Sequence, residues 1–217
     1  SNYIGTKHGV ACNSGSSANL LALSVLIKSG KVKAGSKVII PATTFATVAM
    51  PILQLGLVPK LVDVDLDTYN INLEELEGSI DNNTGLIMTV PTLACPINME
   101  RVMEIANKHN FPVLEDCCEA HGASWNGRKM GSYGTLSCFS FFVAHNITTG
   151  EGGMVLTDDD ELLDLLQSTR EFGRLKQYDK DKPRFYYTNG DLKDFDERYA
   201  FEEVGYNLRM TDINASF

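Results

Sequence analysis

The chain has 217 residues, of which 43% are apolar and 22% charged, a composition that suits a folded protein with a sizeable core and excludes disorder. A formal net charge of −9 leaves no basic stripe to meet nucleic-acid phosphates, and no apolar run nears the ~20 residues that span a bilayer. The five cysteines (Cys12, Cys95, Cys117, Cys118, Cys138) are odd in number and lack paired metal-type spacing, so they read as reduced thiols of a cytoplasmic protein.

In chain order, NSGSSANLLALSVLIKSG (13–30) carries a polar cap, a helical apolar pattern and a stop at Gly30. KVIIP (37–41) predicts a short buried strand. TTFATVAMPILQLG (43–56) predicts a helix kinked at Pro51. PKLVDVD (59–65) reads as strand, LEELEGSI (73–80) as helix, GLIMTVP (85–91) as strand, MERVMEIANKHN (99–110) as helix and FPVLED (111–116) as strand. LSCFSFF (136–142) and GGMVLT (152–157) follow as strands, then a helix that ends at Gly173. Residues 174–204 are charged and aromatic with little periodicity, which predicts a long loop or excursion. The chain closes on TDINASF, the first turn of a helix, so the sequence is expected to be incomplete at its C-terminus and at its N-terminus as well.

Strands and helices alternate, and the strands are apolar throughout. That pattern predicts an α/β fold of three layers, a mostly parallel central sheet covered on both faces. Ligands of such sheets sit at the carboxyl ends of the strands. The turn NSGSSAN (13–19) opens a helix whose free amides would favour an anion, although most such turns are plain caps. Asp116 closes a strand and could hold a cationic ring nitrogen, or cap a helix. Phe45 could stack on a planar ligand, or fill the core. His145 could move protons near neutral pH, or sit in a loop bonded to a backbone carbonyl.

Six segments in this order, NSGSSANLLAL, IPATTFATVAM, VDVDLDTYNI, VLEDCCEAHGASWNGRKMGSYGTLSCFSF, TTGEGGMVLT and VGYNLRMTD, together resemble the sugar aminotransferase family, pyridoxal-phosphate enzymes of fold type I that act on nucleotide-linked keto-sugars. The resemblance implies a large cofactor-binding domain over residues 1–217, with the family's C-terminal small domain missing. It implies phosphate contacts from Ser16, Ser17 and Ser140, a ring stack from Phe45, and a ring-nitrogen partner in Asp116. Glu119 stands where the aminotransferases carry a glutamine near the ring hydroxyl. Asn207 matches an asparagine that reaches the phosphate of a neighbouring subunit, implying a homodimer with shared sites.

His145 stands where those aminotransferases hold the lysine that bonds the cofactor covalently, and FFVAHNITTGEGG (141–153) contains no lysine. Imidazole makes no stable link to the cofactor's aldehyde, so pyridoxal 5'-phosphate or pyridoxamine 5'-phosphate would be held non-covalently. This resembles the branch of keto-deoxysugar 3-dehydratases, with a nucleotide-linked keto-sugar and glutamate as reaction partners, His145 as the base, no nucleic acid and no membrane. One type in that branch carries an iron–sulfur cluster on four cysteines. Here Cys118 matches one, Lys176, Tyr178 and Tyr186 align with the others, and no cysteine follows Cys138, so the cluster and any other metal are excluded. The rival readings are an aminotransferase whose lysine has moved, Lys129 and Lys176 being the nearest, and a silent cofactor-binding homologue.

Overall fold

The computed structural model describes residues 1–174 and 199–217. Its elements in chain order are β1 His8–Cys12, α1 Gly15–Lys28, β2 Lys37–Pro41, α2 Ala46–Gln54, β3 Val58–Val62, α3 Leu73–Gly78, β4 Thr84–Thr89, α4 Met99–His109, β5 Val113–Asp116, β6 Ser124–Trp125, β7 Arg128–Lys129, β8 Leu136–Ser140, β9 Gly153–Thr157, α5 Asp160–Arg170 and α6 Asp212–Ala215.

Seven strands form one sheet in the order β1-β9-β8-β5-β4-β2-β3, with β6 and β7 as a separate hairpin. Strands β3, β2, β4, β5 and β8 pair in parallel, and β9 alone runs against its neighbours β8 and β1. The beginning of β9 therefore lies at the carboxyl ends of the others. Gly153 is the register partner of both Cys12 and Ser140.

Alternate residues of each central strand enter opposite cores, which is why the strands are apolar on both faces. Val38 and Ile40, with Leu86 and Met88, pack with Leu21, Leu26, Leu162 and Leu166 on one side. Ile39 and Ile87, with Val113 and Phe139, pack with Met99, Val102 and Ile105 on the other. The helices start where side chains satisfy their first amides: Ser14 for α1, Asn72 for α3, Asn98 for α4 and Asp159 for α5, each such cap contributing about 1 kcal/mol. Among the described residues no helix is long and apolar enough to cross a membrane.

The strands are shorter than the apolar runs suggested. The run 59–65 stops at Val62 because Asp65 accepts the amides of Asp67 and Thr68 and turns the chain. The run 136–142 stops at Ser140, whose hydroxyl takes the Phe142 amide. Of the expected excursion over 174–204, residues 175–198 lie outside the described residues. Its flanks meet through the bridges Glu171–Asn207 and Arg174–Phe201.

Candidate active site

The carboxyl edge of the sheet gathers the ends of β1, β2, β4, β5 and β8 and the start of β9. Helix α1 leaves β1 through a two-residue turn. The Ser14 hydroxyl accepts the Ser17 amide at 3.1 Å and donates to the Ser17 hydroxyl at 3.0 Å, so Ser17 is occupied in capping. The amides of Gly15 and Ser16 in the same first turn have no intrahelical partner and remain for an anion, with Ser16 exposed.

Gly15 makes this turn possible. A Cβ there would lie 2.5 Å from Ser140 Cβ, 2.9 Å from Ser140 Oγ and 3.0 Å from Cys118 Sγ. The buried Ser140 thus lies directly against the α1 N-terminus, and the resemblance had set both in one phosphate site. Gly153 allows the same closeness from β9, since a Cβ there would meet the Ser14 carbonyl oxygen at 2.3 Å.

Asp116, the last residue of β5, is 5% exposed. Its Oδ2 accepts from Asn19 Nδ2 at 2.8 Å, and its Oδ1 accepts from the Cys118 amide at 3.1 Å. Among the described residues no cationic side chain pairs with it. A buried carboxylate with only neutral donors is set to receive a cation. Neighbouring Glu115 is buried on the other side of the strand and is quite different. It accepts the amides of Gly131, Tyr133 and Gly134 at 2.7–2.8 Å, pinning the loop before β8. Burial still holds its carboxyl above the usual range despite those three donors.

Phe45, at the start of α2, is 74% exposed, so the core reading fails and its ring stands free at the site edge. Glu119 reaches across to the loop after β4, where its Oε2 accepts the Leu93 amide at 2.9 Å. Leu93 and Ala94 both hold left-handed backbone there, at φ 49° and 63°, a conformation that side chains other than glycine adopt at a cost and that Glu119 helps to fix.

The loop between β8 and β9 is closed at its base by Phe141 and Gly152 and by Thr149 and Phe141. Asn214 of α6 also donates to the Thr149 carbonyl at 2.7 Å. Within this loop the His145 amide donates to the Phe142 carbonyl at 3.0 Å, and the imidazole meets the Phe142 ring edge-on at 6.1 Å. Its Nδ1 has no hydrogen-bond partner, so the expected carbonyl contact of an ordinary loop histidine is absent from that nitrogen.

His121 escaped sequence reasoning. It packs beside Phe139 and Phe141 at 5.4 and 5.9 Å, and neither ring nitrogen has a partner. Burial, and secondly the charge of His145, lowers its pKa. Cys118 is half-buried; burial and then the Asp116 charge push its thiol well up. Asn207 is exposed, and its Oδ1 accepts from Arg209 Nε at 3.2 Å. Lys129 is engaged on the β6–β7 hairpin, over the Tyr3 ring at 4.6 Å and against the Gly122 carbonyl at 3.3 Å. Lys176 lies outside the described residues.

Residues 1–217 match the DegT/DnrJ/EryC1/StrS aminotransferase family. Curated relatives include the lipopolysaccharide biosynthesis protein RfbH of Salmonella typhimurium, 39% identical over 99% of this chain and 51% of its own length. Another is a GDP-4-keto-6-deoxy-D-mannose 3-dehydratase of Yersinia pseudotuberculosis, 37% identical over 99% of this chain and 54% of its own. The solved E. coli GDP-4-keto-6-deoxy-D-mannose-3-dehydratase with bound hydrated PLP is 34% identical with a TM-score of 0.89, covering 99% of this chain and 55% of that one. The chain thus spans about half the length of the relatives it matches. On a match that runs from the first residue to the last, the chain belongs to the DegT/DnrJ/EryC1/StrS aminotransferase family.

Proposed function

We propose that this chain is the cofactor-binding part of a 3-dehydratase that acts on a nucleotide-linked 4-keto-6-deoxyhexose with pyridoxal or pyridoxamine 5'-phosphate, without an iron–sulfur cluster. One observation carries the reading. At a single sheet edge lie a buried carboxylate served only by neutral donors and an anion-ready helix turn, beside a loop that offers His145 and no lysine. The names of the relatives point the same way.

The residues present fit the cofactor. The Gly15 and Ser16 amides with the Ser140 hydroxyl would hold its phosphate, the fit being close because Gly15 has no side chain there. Phe45 would cover one face of the ring. Asp116 would keep a proton on the ring nitrogen. Bound there, the amine form supplies a nucleophile for the 4-keto carbon and a ring that accepts electrons while the C3 hydroxyl departs.

His145 would take a proton from the carbon that bears the cofactor's amine. The missing lysine removes a competitor that would capture the cofactor and favour simple amino transfer. Glutamate would restore the amine. Asn207 would serve the phosphate of a second subunit in a homodimer, and the enzyme would work in the cytoplasm. Amino transfer through a displaced lysine is the second reading, and the engagement of Lys129 with Tyr3 and Gly122 weighs against it.

The test is covalent trapping. With pyridoxal phosphate and borohydride, the wild-type mass should stay unchanged, whereas His145→Lys should gain the reduced cofactor and lose dehydration. A wild-type adduct on any lysine would overturn the reading, and so would full dehydration by His145→Ala.

A further inference from the structure

Asn19 is the one amide side chain buried inside α1, a helix enclosed on most sides by apolar residues, and it is 1% exposed. A buried amide needs partners. Its Nδ2 donates to Asp116 Oδ2 at 2.8 Å and to the Thr47 carbonyl at 3.3 Å, while its Oδ1 has none. Both neighbours are acceptors only, so the amide must present its nitrogen to them, and the side chain has a single workable orientation.

The Thr47 carbonyl is free to accept for a reason written in α2. In a regular helix it would take the amide of the residue four positions on, and that residue is Pro51, which has no amide hydrogen. Pro51 therefore leaves a carbonyl open at the top of α2, and Asn19 fills it. The same nitrogen then has its second hydrogen aimed at Asp116.

We infer that Asn19 is a positioning residue for the site's carboxylate, anchored on α2 by the carbonyl that Pro51 frees and holding Asp116 Oδ2 from the side. The inference rests on the reading of Asp116 as partner of the ring nitrogen. It joins α1, α2 and β5 into one device: the phosphate turn and the ring-nitrogen carboxylate are held in fixed relation because Asn19 lies one helical turn beyond Gly15 on the same helix.

A double-mutant cycle on pyridoxamine 5'-phosphate affinity tests it, in the protein at its full natural length, with circular dichroism to establish folding. Asn19→Leu keeps the volume and removes the donor; it should weaken affinity roughly 10- to 100-fold, the size of a hydrogen bond to a charged group. In an Asp116→Asn background the same change should weaken affinity no further, because the carboxylate that Asn19 positions is gone. Pro51→Ala should also weaken affinity, about two- to tenfold, since a new amide at 51 competes for the Thr47 carbonyl without touching Asp116. This third variant decides the matter if Asn19→Leu does not fold.

Equal losses from Asn19→Leu in both backgrounds would overturn the inference, as would unchanged affinity in Pro51→Ala and Asn19→Leu. A merely structural asparagine would lower the melting temperature without coupling to Asp116. If Asp116→Asn itself leaves affinity unchanged, the reading of Asp116 fails, and the inference fails with it for a distinguishable reason.

Discussion

Replacing Gly15 with alanine tests the packing from which the anion turn is built. The new Cβ would sit 2.5 Å from Ser140 Cβ and 3.0 Å from Cys118 Sγ, where carbon contacts settle near 3.5–4.0 Å. Ser140 cannot swing aside as a long side chain would. Its Cβ is fixed to the last residue of β8, which is paired to β9 at Gly153. The start of α1 must therefore retreat by about 1 Å, an overpacking cost of about 1–3 kcal/mol, or a melting temperature lowered by roughly 2–12 °C for a domain of this size. The retreat also carries the Gly15 and Ser16 amides away from the phosphate, so pyridoxamine phosphate affinity should fall together with stability. Gly78→Ala is the control: at the end of α3 a Cβ meets nothing within 4 Å, and a helical alanine should be neutral or stabilising by about 0.4–1 kcal/mol. Thermal melts and a fluorescence titration of cofactor read both effects. A Gly15→Ala protein that melts and binds as wild type would refute the close packing of α1 on Ser140.

Two further outcomes follow from the ionisable groups. Burial pushes the Cys12 thiol up to about 12 and those of Cys117, Cys118 and Cys138 upward as well, so a disulfide reagent applied to the native protein should find Cys95 first; rapid loss of the Cys118 thiol would contradict this packing. Burial, then the charge of His145, lowers the pKa of His121, so the unfolded chain binds the extra proton first. Stability should be full above the unfolded value near 6.5 and fall as pH drops below it, and His121→Phe should flatten that fall between about pH 5 and pH 7; an unchanged slope would remove His121 from the account.

The apolar runs of the sequence were enough to read the central strands and the long helices, because both faces of the sheet are buried and the runs are continuous. Strand β1, HGVAC, was not read: its first two residues are His8 and Gly9, and its pairing with β9 is a tertiary matter. The β6–β7 hairpin was also missed, although Asn126-Gly127 carries the signal, both residues having positive φ as a tight hairpin turn requires. Motif order singles out Asp116, Ser140 and the turn NSGSSAN, and the structure places all three at the carboxyl edge of the sheet. Asn19 lies within the first motif, and an amide in an otherwise apolar helix is the signal that a buried partner exists. The opening of Thr47 by Pro51 was beyond reach, since Pro51 read only as a kink and its consequence depends on which helix lies alongside.

The measurement that bears most directly on the central claim is the fate of the sugar hydroxyl. The protein at its natural length would be incubated with pyridoxamine phosphate, glutamate and GDP-4-keto-6-deoxymannose, and the nucleotide sugar followed by mass spectrometry. The account predicts a 3-deoxy-4-keto product, with glutamate consumed to recharge the cofactor and His145 required. A 4-amino sugar that keeps its 3-hydroxyl would contradict it and make this chain part of an aminotransferase.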